Sequence, residues 1–189
     1  PAGYGLCGCG LAMMLGANAV YLALVPLFAL WALFPFDGRK FIVRLVFLGL
    51  PVALAVGLLA AFNHARFGTV FASGYHFDSG EGFTTPLWRG AAGLILSPAR
   101  GILWYAPLSC LAVPGWFLLR RRTPWLTWLA LAVFAWQIGV FGSWWSWAGG
   151  ASWGPRFLLP VMPLLALCCL PLLERALVFR ERRWQIALV

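Results

Sequence analysis

The first 34 residues carry no charged side chain, and that run decides what kind of molecule the chain can be. It is too long for one straight crossing of a bilayer core, which takes about 20 residues, and it has no polar face to set against water. Further apolar runs follow, separated by short basic turns and two polar loops. Hydrophobic residues reach 62% and charged residues only 10%, a balance that a soluble domain cannot bury. Lipid must be the solvent, and in lipid every backbone polar group has to be satisfied internally. The expected fold class is therefore all-α. The chain reads as a polytopic transmembrane helical bundle of about five to seven membrane segments, forming a single integral-membrane domain over residues 1–189.

Local signals place the segments. Gly16-Ala17-Asn18 is the turn-prone point of the first run, so one helix covers Tyr4 to Leu15 and the next Ala19 to Phe34. A single tilted helix kinked near Gly16 or Pro26 is the alternative. PFDGRK is a turn, and Phe41 to Phe62 is a spanning helix, with Arg44 snorkelling near its end and Pro51 bending it. A polar loop runs from residue 63 to 101. Loops of this length are functional or disordered, and the recurring aromatics argue against disorder. Inside it, Thr85 to Leu96 forms a candidate interfacial helix, with Trp88 and Arg89 at headgroup depth. Ser97-Pro98 reads as an N-cap and first-turn proline for a helix through ILWYAPLSCLAVPGWFLL, kinked at Pro107 and Pro114 and ended by Arg120, Arg121 and Arg122.

Pro124 to Gly142 crosses back to a second loop, residues 143–156, within FGSWWSWAGGASWGPR. Its tryptophans (Trp144, Trp145, Trp147, Trp153) suit the membrane interface, where the ring is buried and the N–H stays wet. Its glycines permit tight turns, and Pro155 reads as the first residue of a helix reaching Leu173. Trp184 begins a further segment. The opening at Pro1 without methionine and the ending in WQIALV read as a piece truncated at both ends.

The net charge of +9 invites a nucleic-acid reading, but the basic residues sit in short clusters between apolar runs, not along one face or tail. No nucleic-acid partner is expected. Ten of the fourteen (Arg39, Lys40, Arg44, Arg120, Arg121, Arg122, Arg175, Arg180, Arg182, Arg183) fall in three turns on one side. Arg66, Arg89, Arg100 and Arg156 fall on the other. The positive-inside rule makes the basic turns cytoplasmic and both polar loops external, in a multi-pass protein of the bacterial inner membrane. Cys7, Cys9, Cys110, Cys168 and Cys169 form no metal or disulfide framework and read as small buried residues.

No nucleotide-binding glycine loop, zinc motif or serine nucleophile elbow is present. Asp78 and Glu81 are the only carboxylates on the outer side and the only acidic candidates for catalysis. Spaced three apart, they admit a general-base role or a divalent metal, against the plainer reading of a solvated loop tip. No other cofactor is indicated. His64 and His76 stand alone and read as surface hydrogen-bonders. The outer arginines have a more specific use, because a guanidinium grips a lipid phosphate bidentately where an ammonium does not. Arg66, Arg100 and Arg156 sit among glycines and aromatics and are the candidates, together with Asn63 and His64. Arg89 reads as a simple anchor to membrane lipids. Aromatic rings stack on sugar faces, which brings in Tyr75, Tyr105, Trp147 and Trp153, against their ordinary role as interface anchors.

Three segments, FNHARFGTVFASGY, SPARGILWYAPL and SWWSWAGGASWGPRFLLPVMPLL, resemble in matching order a bacterial family of GT-C class glycosyltransferases, over about residues 60–167. These are the RgtA/B/C/D-like enzymes related to the dolichyl-phosphate-mannose protein mannosyltransferases. The resemblance implies a lipid-linked sugar donor on polyprenyl phosphate and inverting transfer of the sugar at the external face. It also implies a catalytic aspartate in a first outer loop that this sequence does not contain, so the chain by itself is expected to turn over no donor. The rival readings are a transporter or flippase subunit handling anionic lipids and a non-catalytic membrane subunit. A transporter should show charged or polar residues at mid-membrane depth or broken helices in paired repeats, and the sequence pattern points to neither.

The charge alternation makes a direct prediction. In a cysteine-free background, single cysteines at Ser79 and Ser146 should react with an impermeant maleimide added outside the cell, and one at Thr123 only after the inner face is opened. The reverse pattern would overturn the orientation and remove both loops from the outer face.

Overall fold

The computed structural model describes residues 2–33, 38–71 and 80–187. Every regular element among them is helical. Three helices are long and apolar enough to cross a membrane, Lys40–Phe67, Pro124–Ser143 and Arg156–Leu177, and shorter apolar helices accompany them. The chain divides into two compact units, Pro1–Tyr75 and His76–Val189.

In the first unit, α1 (Ala2–Ala17) ends where the turn signal stands. Asn18 caps the following 3₁₀ segment, Ala19–Leu24, its side-chain oxygen accepting from the Val20 N–H at 3.0 Å. α2 (Val25–Leu33) then completes the pair of helices expected from the first run. α3 (Gly38–Phe67) passes through Pro51 and is 30 residues long. It extends past Phe62, so Asn63, His64 and Arg66 belong to its last turn and not to a loop, a correction of the expected boundary. α1 lies on α3 at Gly8, where an added Cβ would stand 2.5 Å from the Leu48 carbonyl oxygen. The outward face of α3 leaves Leu50 68% and Leu54 64% exposed, which only a lipid surround makes tolerable.

The second unit opens with α4 (Leu87–Leu96), a helix within the span expected from Thr85 to Leu96, with Trp88 and Arg89 exposed. The structure departs from expectation next. Ser97 does not start a helix; it is the C-cap of α4, and its carbonyl oxygen accepts from Gly101 at 2.5 Å. The expected continuous helix is instead three pieces: α5 (Ile102–Tyr105), a 3₁₀ segment (Pro107–Leu111) and α6 (Ala112–Leu119). The break is at Ala106, at φ −140° and ψ 64°, in front of a proline that disfavours helical geometry in its predecessor. α7 (Pro124–Ser143) crosses back as expected. A 3₁₀ segment (Arg156–Val161) leads into α8 (Met162–Ala187), which passes Trp184 without interruption, so no new segment begins there.

Two close crossings hold the unit together. A Cβ on Gly90 of α4 would collide with the carbonyl of Gly142 on α7, and one on Gly115 of α6 with the carbonyl of Cys168 on α8. Small residues at such points let backbones approach in a medium where apolar burial alone drives little association. Cys168 and Cys169 are buried as expected, but Cys9 and Cys110 are exposed on apolar helices and do not fill a core. At one end of α7, Arg122 pairs with Glu174 of α8 at 2.5 Å, both half exposed, which joins two of the three basic turns. The other end, about 30 Å away along a 20-residue helix, carries the tryptophan loop.

Gly90→Ala should lower the unfolding midpoint in detergent by the equivalent of roughly 1–3 kcal/mol, the usual cost of forcing an extra carbon into a packed contact. Gly139→Ala, on the same α7 with nothing within 4 Å of the added carbon, should be neutral or stabilising. Equal effects would remove the crossing as the explanation.

Candidate functional site

The tryptophan-loop end of the second unit is built by pairing its two loops. The Thr85 N–H donates to the Ser143 carbonyl at 3.1 Å and the Trp145 N–H to the Gly82 carbonyl at 2.7 Å. Phe83 meets the Trp144 ring edge-on, with centroids 5.3 Å apart. The indole of Trp147 lies where a Cβ on Gly93 would be. Residues 82–101 and 143–156 therefore form one surface.

Its centre is the Gly149-Gly150 turn. Both glycines have positive φ, 77° and 65°, where a side chain is strained. Arg100 reaches this turn from α4's end, its Nη2 donating to the Gly150 carbonyl at 2.6 Å. Arg156 reaches it from the other side: an added Cβ on Gly149 would stand 3.2 Å from the Arg156 Nε. The Arg156 guanidinium also lies over the Phe157 ring, 4.9 Å from its centroid, and Phe157 is stacked on Phe141 of α7 at 4.3 Å. Two guanidinium groups thus share one turn. Arg156 is exposed, while the Nη1 of Arg100 is buried with no partner among the described residues. The residue as a whole is half-buried, so the cost falls on that one N–H-bearing atom and not on the full charge.

The local geometry corrects one expectation. Pro155 does not begin an α-helix. At φ −84° and ψ 63°, with the Arg156 N–H donating to the Gly154 carbonyl at 3.0 Å, it is the centre of an inverse γ-turn. The helical part that follows is a six-residue 3₁₀ segment, so the side chain of Arg156, and not a helix terminus, carries the positive charge. Gly154, at φ 67°, lies against the Tyr105 ring, which leaves 3.0 Å to an added Cβ.

The sequence candidates divide as follows. Arg100, Arg156, Tyr105 and Trp147 are brought together around the glycine turns, and Trp153 is 88% exposed on the same loop. Asn63, His64 and Arg66 lie in the first unit, where Asn63 donates to the Val70 carbonyl at 3.2 Å and Arg66 lies over Phe62 and Phe67. Tyr75, His76 and Asp78 lie outside the described residues, so the Asp78–Glu81 pair has no geometry here. Among the described residues no group of three His, Cys, Asp or Glu side chains is placed to hold a metal.

Sequence reading missed Gln137. It is fully buried on α7 with neither amide atom paired among the described residues, four residues before Phe141 and so about one turn deeper than the Phe141–Phe157 stack. The only warning was a lone amide in an uncharged apolar run.

No protein-family model, curated protein or solved structure matches the chain.

Proposed function

We propose that the chain is part of a membrane glycosyltransferase of the bacterial inner membrane. It would take a sugar from a polyprenyl-phosphate donor at the external face, as the resemblance of its three loop segments implies. The observation that supports the reading is the pair of guanidinium groups on the Gly149-Gly150 turn, one with a buried N–H group unused. In such a transfer the acceptor oxygen attacks the anomeric carbon, the sugar–phosphate bond breaks, and the lipid phosphate leaves with the electron pair. A preplaced cation acts on the charge that grows on that phosphate. Arg100 and Arg156 are the phosphate ligands on this reading, and Tyr105, Trp147 and Trp153 offer ring faces for sugars. A catalytic base is not assigned to any residue.

In the complete protein, Arg156→Ala and Arg100→Ala should each lower transfer from a polyprenyl-phosphate sugar by about 10²-fold, the scale of losing one such donor. Arg156→Lys should recover only part, because the fork geometry is lost. Arg89→Ala, on the exposed face of α4, should change little. Near-normal turnover by the Arg100 and Arg156 alanine variants at normal expression would move the phosphate elsewhere.

One finding favours a second reading, a transporter or flippase subunit for anionic lipids: the unpaired Gln137 inside a spanning helix is the kind of intramembrane polar group that reading calls for. If it holds, proteoliposomes should carry a fluorescent polyprenyl phosphate across the bilayer without sugar transfer, and Gln137→Leu should stop the movement while leaving the fold intact.

A further inference from the structure

The turn between α6 and α7 holds three consecutive arginines, Arg120, Arg121 and Arg122, all exposed and each placed differently. Arg122 pairs with Glu174 of α8, so its charge is answered within the protein. Arg120 lies instead over rings of α6, its guanidinium carbon 5.1 Å from the centroid of Trp116 and 5.9 Å from that of Phe117. The Trp116 ring is itself fixed. Its indole N–H donates to the Thr127 carbonyl at 2.9 Å, and Trp128 meets it edge-on with centroids 5.4 Å apart. Ring faces attract a cation but give its N–H groups no oxygen to bond, and no described residue supplies one to Arg120. Arg121 makes no side-chain hydrogen bond or ion pair among the described residues. Three guanidinium groups against one paired carboxylate leave two cations unanswered at this turn. Exposed rings flank them, with Trp125 at 58% and Trp128 at 52%.

We propose that Arg120 and Arg121 bind the headgroup phosphate of an anionic phospholipid at this turn. The site lies at the opposite end of α7 from the Gly149-Gly150 turn and does not depend on the transferase reading. Guanidinium groups grip a phosphate through paired N–H donors, and the ring stack holds Arg120 in place before the lipid arrives, which lowers the ordering cost. The net charge of the headgroup decides selectivity. A phosphatidylcholine brings its own cation, which two unanswered arginines repel, whereas the glycerol of phosphatidylglycerol brings none. A soluble phosphate would meet the cations alone; a lipid also covers the exposed Trp125 and Trp128 rings, which suit headgroup depth. On the positive-inside reading the turn faces the cytoplasmic leaflet, whose surface is negative. Glu174 then limits the site, because it withdraws Arg122 from the same turn.

Native mass spectrometry of the detergent-solubilised protein, titrated with phosphatidylglycerol, tests this without any turnover. Arg120→Ala and Arg121→Ala should each weaken binding of the first lipid by about fivefold, equivalent to roughly 1 kcal/mol per basic residue. Glu174→Gln should tighten it by a similar factor, because Arg122 is released to the turn. Phosphatidylcholine should not displace the bound lipid, and excess inorganic phosphate should not compete. Arg89→Ala, at the other end of the unit, should leave the affinity unchanged. The proposal is overturned if Arg121→Ala binds as the original protein does, or if Arg89→Ala weakens binding equally, since either result means annular lipid only. Competition by inorganic phosphate would make this a soluble-anion site. Weaker binding by Glu174→Gln would mean that the ion pair, and not the charge excess, shapes the turn, and would overturn the proposal as well.

Discussion

The arrangement of the second unit depends on the approach of α4 to α7 at Gly90 and Gly142. In water, apolar side chains would drive such a contact; in lipid they are matched by acyl chains, and association falls to close packing and hydrogen bonds. With no Cβ on either side, backbone meets backbone. The Ser143 end of α7 is thereby fixed beside α4. Everything polar at that end follows from it: the Thr85–Ser143 and Trp145–Gly82 hydrogen bonds, the Trp147 ring over Gly93, and the reach of Arg100 to Gly150. Gly115 against Cys168 does the same for α6 and α8.

Glycine appears again where the loops meet, for a different reason. At Gly149, Gly150 and Gly154 the requirement is positive φ, combined with side chains crowding the space a Cβ would need at Gly149 and Gly154. Arg156 and Tyr105 occupy that space. The same residues that turn the chain therefore let a cation and a ring close over the backbone, which holds both side chains in place at little entropic cost when a ligand arrives. An aromatic-rich loop becomes a packed surface instead of a set of independent membrane anchors.

Much of the helix layout was legible because it follows from periodicity and charge. The break at Gly16-Ala17-Asn18, the helix before Ser97 and the long apolar helix from Pro124 all rest on local signals that tertiary structure did not overrule. The failures have local causes too. Ser97-Pro98 has the composition of a helix start, yet the same serine serves as a C-cap, and composition does not distinguish the two ends of a helix when both lie in a loop. Pro155 has the residue type favoured at a first turn but takes an inverse γ-turn, because Gly154 before it is already at φ 67°. Asn63, His64 and Arg66 look loop-like by polarity alone, whereas a helix end at headgroup depth accommodates polar residues without leaving helical geometry. The meeting of Arg100 with Arg156 was beyond sequence reach, since it depends on the glycine crossing and on two turns some fifty residues apart.

Two polar groups in this unit are not satisfied by the described protein: the Nη1 of Arg100 and the amide of Gln137. An unpaired buried polar group costs about 1–3 kcal/mol, and more when charged, so neither position is neutral for stability. The two differ in kind. Thr127, also fully buried on α7, answers its own hydroxyl through the Thr123 and Pro124 carbonyls, which shows how this helix absorbs a polar residue that has only a structural place. Gln137 makes no such bond among the described residues. Arg100 uses one arm of its fork on Gly150 and leaves the Nη1 of the other buried without a partner among the described residues. A guanidinium that served only as a membrane anchor would turn both arms outward to headgroups and water. The arm held inward is what separates Arg100 from Arg89, and it is why the anion site is drawn at the Gly149-Gly150 turn and not along the exposed face of α4.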